Sequence, residues 1–384
     1  MPDIRICSPC MGISPDSDLG GEVYERELLL RIPKYGGKLS LILPKNSKIR
    51  EDMVFESINY LPISRRLRWF VSNPLYFNAI KKNYAEEGFD LLRVHSLRFI
   101  GPAAIMFRSI YGAGIPLIGH HHHIDPEVLS FVIDRRVASA LDLIITVSEF
   151  SKKQIINDYG VEEDRIVAVY NGVDDKYKPF PKDPVMENKY GTNGKKVLMY
   201  IGGMKKRKNL SFLLECLAEI RNEEWLCLIF GRGEELASLK RKSAALGISN
   251  LVRFCGYLPE EEKCRVLNIC DVYVFPSLLE GFGMAAVEAM ACGKPVVGLN
   301  TASLPEIIDD EKTGLLSVPG DKRAYINNIL LLLKDENLRQ KLGNNARAKT
   351  EKCYSWDESA RKVMGHYEAV TERFRKTGTD TQRP

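Results

Sequence analysis

FPSLLEGFGMAAVEAMACGKPVV, residues 275–297, reads as the end of a strand, a loop and a helix in immediate succession. The apolar run stops at Phe275, the loop holds Glu280-Gly281-Phe282-Gly283, and a helical pattern starts near Met284 and carries Glu288 one turn in. Small residues at Gly281 and Gly283 let a ligand approach the backbone closely. The free N–H groups at the helix start, around Met284 and Ala285, favour a negatively charged group such as a phosphate. Glu288 is placed to accept hydrogen bonds from a diol such as a ribose, and Glu280 from a second set of hydroxyls. A plain strand–loop–helix crossover with solvated glutamates has the same pattern, so this loop alone does not decide the function.

A second junction joins a strand to a helix in YIGGMKKRKNL, residues 200–210. Gly202-Gly203 suits a tight turn, and four basic residues follow at 205–208. A solvated basic loop is the plain alternative. Two such junctions in one half, one cationic and one with diol-binding carboxylates, fit a single nucleoside diphosphate. Lys208 or Arg207 would neutralise the diphosphate and stabilise it as a leaving group.

Working outward, short apolar runs alternate with longer helical ones. Ile4–Cys7 is a strand, a Gly-, Ser- and Asp-rich loop ends in Gly20-Gly21, and Glu22–Ile32 is a helix. Lys38–Leu43, Asp90–Val94, Pro116–Gly119, Leu143–Val147 and Ile166–Val169 read as further strands. The Pro-, Gly- and charge-rich stretch 175–196 reads as a linker. The rhythm then restarts with strands at Val197–Ile201, Leu226–Phe230, Leu251–Phe254, Val272–Phe275 and Pro295–Gly298, and helices at Leu210–Ile220, Met284–Ala291 and Asp321–Leu333. A final helix covers Trp356–Phe374, and the last ten residues read as a tail. This alternation implies an α/β fold of two doubly wound, Rossmann-like domains, with a cleft between them as the expected ligand site.

The 384 residues carry a formal net charge of +5, well short of the footprint of a nucleic-acid-binding protein. The nine cysteines are odd in number and mostly sit in apolar contexts, as in Cys216, Cys227, Cys255, Cys270 and Cys292, which suits reduced thiols in a cytoplasmic protein. Cys7-Ser-Pro-Cys10 is an isolated CxxC and a weak redox or metal signal. No signal-peptide pattern opens the chain, and no apolar run approaches the ~18–20 residues that span a bilayer. Leu61–Tyr84 holds five basic residues and no acid, interleaved with Trp69, Phe70, Tyr76 and Phe77. Such a helix can lie on an anionic membrane surface, here the inner face, though a solvated helix face reads the same way.

The stretch Glu280-GFGMAAV-Glu288 resembles the E-x7-E signature of retaining glycosyltransferases of family 4, which have the GT-B fold. Other matches run in order along the chain: DLIITVSEFSKKQI (142–155), VYNGVD (169–174), YIGGMKKRKNL, FGRGEEL (230–236), FCGYL (254–258), DVYVFPS (271–277), LPEIIDD (304–310) and TGLL (313–316). The resemblance implies that Glu288 binds the donor ribose, Glu280 contacts the transferred sugar, and Lys208 holds the diphosphate. Backbone at Gly281, Phe282 and Gly283 would lie beside sugar and phosphate. Gly20 and Gly21 would match a glycine loop near the donor phosphate, and Gly231, Gly233, Tyr257 and Leu258 would lie near the base. Many members carry an arginine where this chain has Gly203, so that contact falls to Arg207 or Lys205 or is absent.

The same resemblance implies a histidine after a strand of the N-terminal half, near the transferred sugar. The chain offers His120, His121, His122 and His123, followed by Ile124-Asp125-Pro126. His122 is favoured because similar sequences read H-H-x-D-P there; alternation along a strand puts residues 121 and 123 on the opposite face. A metal cluster is the other reading, but consecutive strand residues point apart. His95 follows a strand and is a further candidate lining residue. Asp16-Ser17-Asp18 matches the DxD metal–nucleotide pattern of the other large glycosyltransferase fold, but it sits in the first loop and reads as a loop feature bordering the acceptor side, so no obligatory metal or cofactor is expected.

These readings imply domains at 1–176 and 177–360, with a helix over 361–376 returning to the first. They imply a retaining hexosyltransferase using a GDP- or UDP-sugar, with an unspecified glycan, lipid or small-molecule acceptor and no nucleic-acid partner. RKN (207–209) and YSWDESA (354–360) resemble mannosyltransferases and favour GDP-mannose over UDP-glucose. The rivals are a noncatalytic sugar-nucleotide or carbohydrate-binding protein, an inverting transferase and a sugar-nucleotide epimerase on the same fold.

Overall fold

In the computed structural model, residues 3–15, 17, 20–64, 68–112, 114–122, 128–221 and 224–377 are described. The chain divides into two units, Met1–Gly172 with Trp356–Pro384, and Val173–Ser355. Against the expected limits of 176 and 360, the divisions fall a few residues earlier. Gly172 and Trp356 are packed too tightly to part: a Cβ on Gly172 would overlap the Trp356 backbone.

The first unit is built on β1 (Ile4–Pro9), β2 (Gly37–Lys45), β3 (Ser57–Ser64), β4 (Leu91–Val94), β5 (Leu117–His121), β6 (Leu143–Thr146) and β7 (Ile166–Ala168). They form one sheet in the order β3-β2-β1-β4-β5-β6-β7, with every neighbouring pair parallel. The central strands β4 and β6 are buried along their whole length, which is why they read as unbroken apolar runs. Helices Gly20–Arg31, Arg68–Glu86, Gly101–Tyr111, Val128–Ala140 and Glu149–Tyr159 link the strands. Local chemistry sets their ends: Ser148 caps Glu149–Tyr159 by accepting from the Ser151 N–H, and Gly160 stops it at φ +69°. The long helix Trp356–Thr377 belongs to this unit, where the Ser359 hydroxyl donates to the Tyr170 carbonyl at 2.6 Å.

The second unit holds β8 (Lys196–Ile201), β9 (Trp225–Phe230), β10 (Val252–Gly256), β11 (Val272–Phe275), β12 (Val296–Leu299) and β13 (Gly314–Ser317). Their order is β10-β9-β8-β11-β12-β13, again all parallel. In each sheet the chain order reverses once, at β1/β4 and at β8/β11. Ligands of open α/β sheets bind beyond the carboxyl ends of strands at such a reversal.

Several expectations need correction. The segment 175–196 is not a bare linker, because Pro184–Tyr190 is a helix. Asp183 caps it, Pro184 opens it and Gly191 closes it in the left-handed region, so the residues that suggest a linker are helix punctuation. β3 is a strand that no expectation covers, and it includes Leu61–Ser64 of the expected basic helix. It is an edge strand, where Pro62 is tolerated. The helix that follows starts only at Arg68, and Tyr76 is fully buried, its hydroxyl donating to the Cys10 carbonyl at 2.9 Å. The side chains of Trp69 and Phe70 lie outside those described. Gly20 and Gly21 are the first residues of a helix, not a loop. A further helix covers Glu336–Cys353, and the last helix extends to Thr377, into the expected tail. All nine cysteines are free thiols; Cys255 is half-buried, Cys353 exposed.

Candidate functional site

In the second unit the two junctions read from sequence lie at the carboxyl ends of adjacent strands. After β8 the chain turns through Gly202-Gly203 and a single helical turn, Lys206–Lys208, before the helix Leu210–Glu219. After β11 it passes through Ser277 and Glu280 to the helix Met284–Ala291. Lys208 and Glu280 meet as an ion pair, Nζ to Oε1. The Ser277 hydroxyl donates to the same carboxylate oxygen at 2.7 Å. Arg207 donates to the Leu279 carbonyl at 2.7 Å and lies 3.4 Å from Glu280 Oε2. Burial pulls the Lys208 ammonium below its ordinary pKa, and Glu280 opposes that shift.

The loop between these groups is held from below. The Ser303 hydroxyl lies within hydrogen-bonding distance of the carbonyls of Glu280 and Phe282, at 3.1 and 3.0 Å. Phe282 is buried and packs edge-on to Tyr354. Gly283, at φ +100°, turns the chain into the helix. Met284 and Ala285, in the first turn, are half-buried. Glu288 is buried, with Oε2 at 2.6 Å from the ammonium of Lys263. Burial raises the Glu288 carboxyl, and Lys263 opposes the rise.

Gly231, at φ +127°, follows β9, and a Cβ there would strike the Gly202 carbonyl. It therefore keeps the β8 and β9 loops in contact. Tyr257 is exposed, with Arg232 over its ring at 5.2 Å, whereas the Leu258 side chain is buried in the core. Gly203 is exposed on the turn.

In the first unit, residues beyond β1, β4 and β5 converge. A Cβ on Gly21 would lie 3.8 Å from the His122 ring, while Gly20 faces open space. His122 packs edge-on to Tyr24, with ring centroids 4.2 Å apart, and lies 5.3 Å from His95. His121 points to the other side, toward Tyr159. His120 is fully buried. His123 and Asp125, like Asp16 and Asp18, lie outside the described residues.

Beneath the histidines is a buried polar network. Arg93 donates to both oxygens of Glu25, to the Ser8 hydroxyl at 2.7 Å and to the Tyr367 hydroxyl at 2.6 Å. The Tyr367 hydroxyl, which accepts from Arg93, lies 2.6 Å from His120 Nε2, and His120 Nδ1 lies 2.9 Å from the Tyr24 hydroxyl. His95 Nδ1 lies 3.0 Å from Glu25. Glu25, His95 and His122 offer ligand atoms within 4.8 Å of one another. Arg93 occupies both carboxylate oxygens, so a cation there would face a guanidinium. No pattern in the sequence marks Glu25, Tyr367 or Ser303, and Ser277 is marked only as the last residue of the DVYVFPS match. Arg93 carried one signal, a charged residue inside an apolar strand.

The descriptions of known families agree with this geometry. Residues 20–177 match the Glycosyltransferase Family 4 model, and residues 183–349 match the Glycosyl transferases group 1 model. The chain is 34% identical over 238 residues to O-antigen chain mannosyltransferase B of Escherichia coli, which covers 59% of this chain and 61% of that protein. It is 26% identical over 379 residues to N-acetyl-alpha-D-glucosaminyl L-malate synthase of Bacillus anthracis, covering 94% of this chain and 96% of that one. Among solved structures, Anabaena HepE in complex with UDP and glucose superposes with a TM-score of 0.77 at 18% identity, over 95% of this chain and all of that one. The fold is accordingly GT-B, and with both halves matched by glycosyltransferase models, the chain belongs to the family 4 glycosyltransferases.

Proposed function

We propose that the protein is a retaining hexosyltransferase that moves a hexose, mannose or glucose, from a nucleoside-diphosphate sugar to a glycan, glycolipid or small-molecule acceptor. The observation that carries this reading is the Lys208–Glu280 pair on neighbouring strand ends, with Glu288 one turn into the helix that the Glu280 loop opens. Lys208 and Arg207 neutralise the departing diphosphate, helped by the free N–H groups around Gly283, Met284 and Ala285. Glu280 holds hydroxyls of the transferred hexose and Glu288 those of the ribose. Gly231, Gly233 and Tyr257 border the base. On the first unit, Gly21 lies beside His122, the histidine whose role the resemblance implies.

None of these carboxylates is placed as a nucleophile: Glu280 and Glu288 are each occupied by a lysine. The leaving phosphate takes the acceptor proton on the same face of the sugar, and the protein supplies positioning and charge stabilisation. The mannosyltransferase among the relatives supports mannose, and the UDP and glucose of HepE support a nucleoside diphosphate with a hexose. Among the described residues, no helix is long and apolar enough to cross a membrane. Peripheral contact of the Arg68–Glu86 helix with the inner face of a membrane, through exposed Lys81 and Lys82, fits a cytoplasmic enzyme acting on a lipid-linked acceptor. Proton NMR of the sugar released or transferred from the working donor tests the stereochemistry. Retained α configuration is expected; an inverted product would rule the same-face mechanism out.

A further inference from the structure

The sequence EEEK at 260–263 reads as the solvated start of a helix, yet Lys263 is nearly buried, its side chain 15% exposed. Its ammonium lies 2.6 Å from Glu288 Oε2 and 3.5 Å from Glu260, and 5.6 Å over the Tyr177 ring. Glu260 in turn binds Lys176 at 2.9 Å and the Tyr177 hydroxyl. Two lysines and two glutamates thus form a neutral quartet. The described residues make no hydrogen bond to Glu288 Oε1.

A buried ion pair gains little net stability, because desolvating both charges offsets their attraction. This one joins the helix Glu260–Ile269 to the carboxylate read above as the ribose acceptor. Resting on that reading, we propose that Lys263 is a positioning residue for the nucleotide donor: it anchors Oε2 of Glu288 and leaves Oε1 to accept from the ribose hydroxyls. An ionised carboxylate accepts from hydroxyls more strongly than a neutral carboxyl does. Around Glu288 stand Lys263 and Glu260 on one helix, Lys176 and Tyr177 on the loop before the helix Pro184–Tyr190, Tyr273 on β11 and Cys292 at the end of its own helix. Lys263 and Lys176 are the cations of that set. Without Lys263, burial and Glu260 push the Glu288 carboxyl higher, so ribose binding fails at a higher pH.

The test is isothermal titration of the full chain with UDP and GDP, and with the 2′,3′-dideoxy form of whichever binds. Lys263→Met is expected to weaken the ribonucleotide about tenfold at neutral pH, the loss of one charge-assisted hydrogen bond. The acid limb of binding should move to higher pH. Lys263→Arg should restore most of the affinity, and the dideoxy nucleotide should bind Lys263→Met and wild type alike. Lys263→Met/Glu288→Gln leaves no unpaired carboxylate at position 288 and guards against misfolding; it should bind no more weakly than Glu288→Gln alone. Unchanged ribonucleotide affinity and pH profile in Lys263→Met, or an equal loss on the dideoxy nucleotide, would overturn the proposal while leaving the ribose reading intact. Unchanged affinity in Glu288→Gln would instead overturn the ribose reading beneath it.

Discussion

The guanidinium of Arg93 donates to both carboxylate oxygens of Glu25, at 2.9 and 2.8 Å, with neither side chain exposed to solvent. The pair ties β4 to the first helix under the histidine cluster. Removing one partner leaves an uncompensated buried charge. Arg93→Met should therefore destabilise the first unit by about 3–5 kcal/mol in denaturant unfolding, and adding Glu25→Leu should recover part of the loss.

The same network sets a dependence on pH. Burial, with Arg93 beside it, holds His120 well below its ordinary value of 6.5. Burial would raise Glu25, but Arg93 and His95 overcome it and hold the carboxyl well below 4.5. Both groups bind more protons unfolded than folded as pH falls, so both lose stability in acid. The loss should begin below pH 6.5, where unfolded His120 protonates, and steepen below 4.5, where unfolded Glu25 does. Unfolding free energies measured between pH 7.5 and 4 check this, and His120→Asn should flatten the first part of the slope.

Gly283 enters the helix Met284–Ala291 at φ +100°, and a Cβ there would meet Ile307 at 3.0 Å. Gly283→Ala should cost about 1–3 kcal/mol of stability in the second unit. It should also weaken nucleoside diphosphate binding, because the N–H groups at the helix start would shift.

Lys208 and Glu280 should separate by substrate. Lys208→Ala is expected to weaken the free nucleoside diphosphate about tenfold to a hundredfold, as a charge-assisted contact is lost. Glu280→Gln should leave that binding nearly unchanged and lower kcat with the sugar donor. Calorimetry with the nucleotide and steady-state kinetics with the donor distinguish the two.

The strands and the two strand-to-helix junctions are legible because they combine apolar runs with glycine and charge at fixed offsets. Phe275, Glu280, Gly283 and Glu288 read from left to right as strand, loop, turn and helix, and the fold follows that reading. What the chain order hides is the partner of each charge. Lys263 precedes Glu288 by a whole strand and loop, and Arg93 meets Glu25 across 68 residues, so only the folded sheet brings them together. Edge strand β3 escaped notice because Pro62 breaks its pattern, and the helix Pro184–Tyr190 because its caps look like linker residues.

The central claim is sugar transfer from a nucleotide donor, and a panel of UDP-, GDP- and ADP-hexoses tests it most directly. Binding and slow acceptor-free hydrolysis of each donor would be followed by calorimetry and by release of nucleoside diphosphate. At least one donor, with GDP-mannose favoured, is expected to bind and be split, and Glu288→Ala should weaken that binding. Neither binding nor hydrolysis across the whole panel would contradict the account.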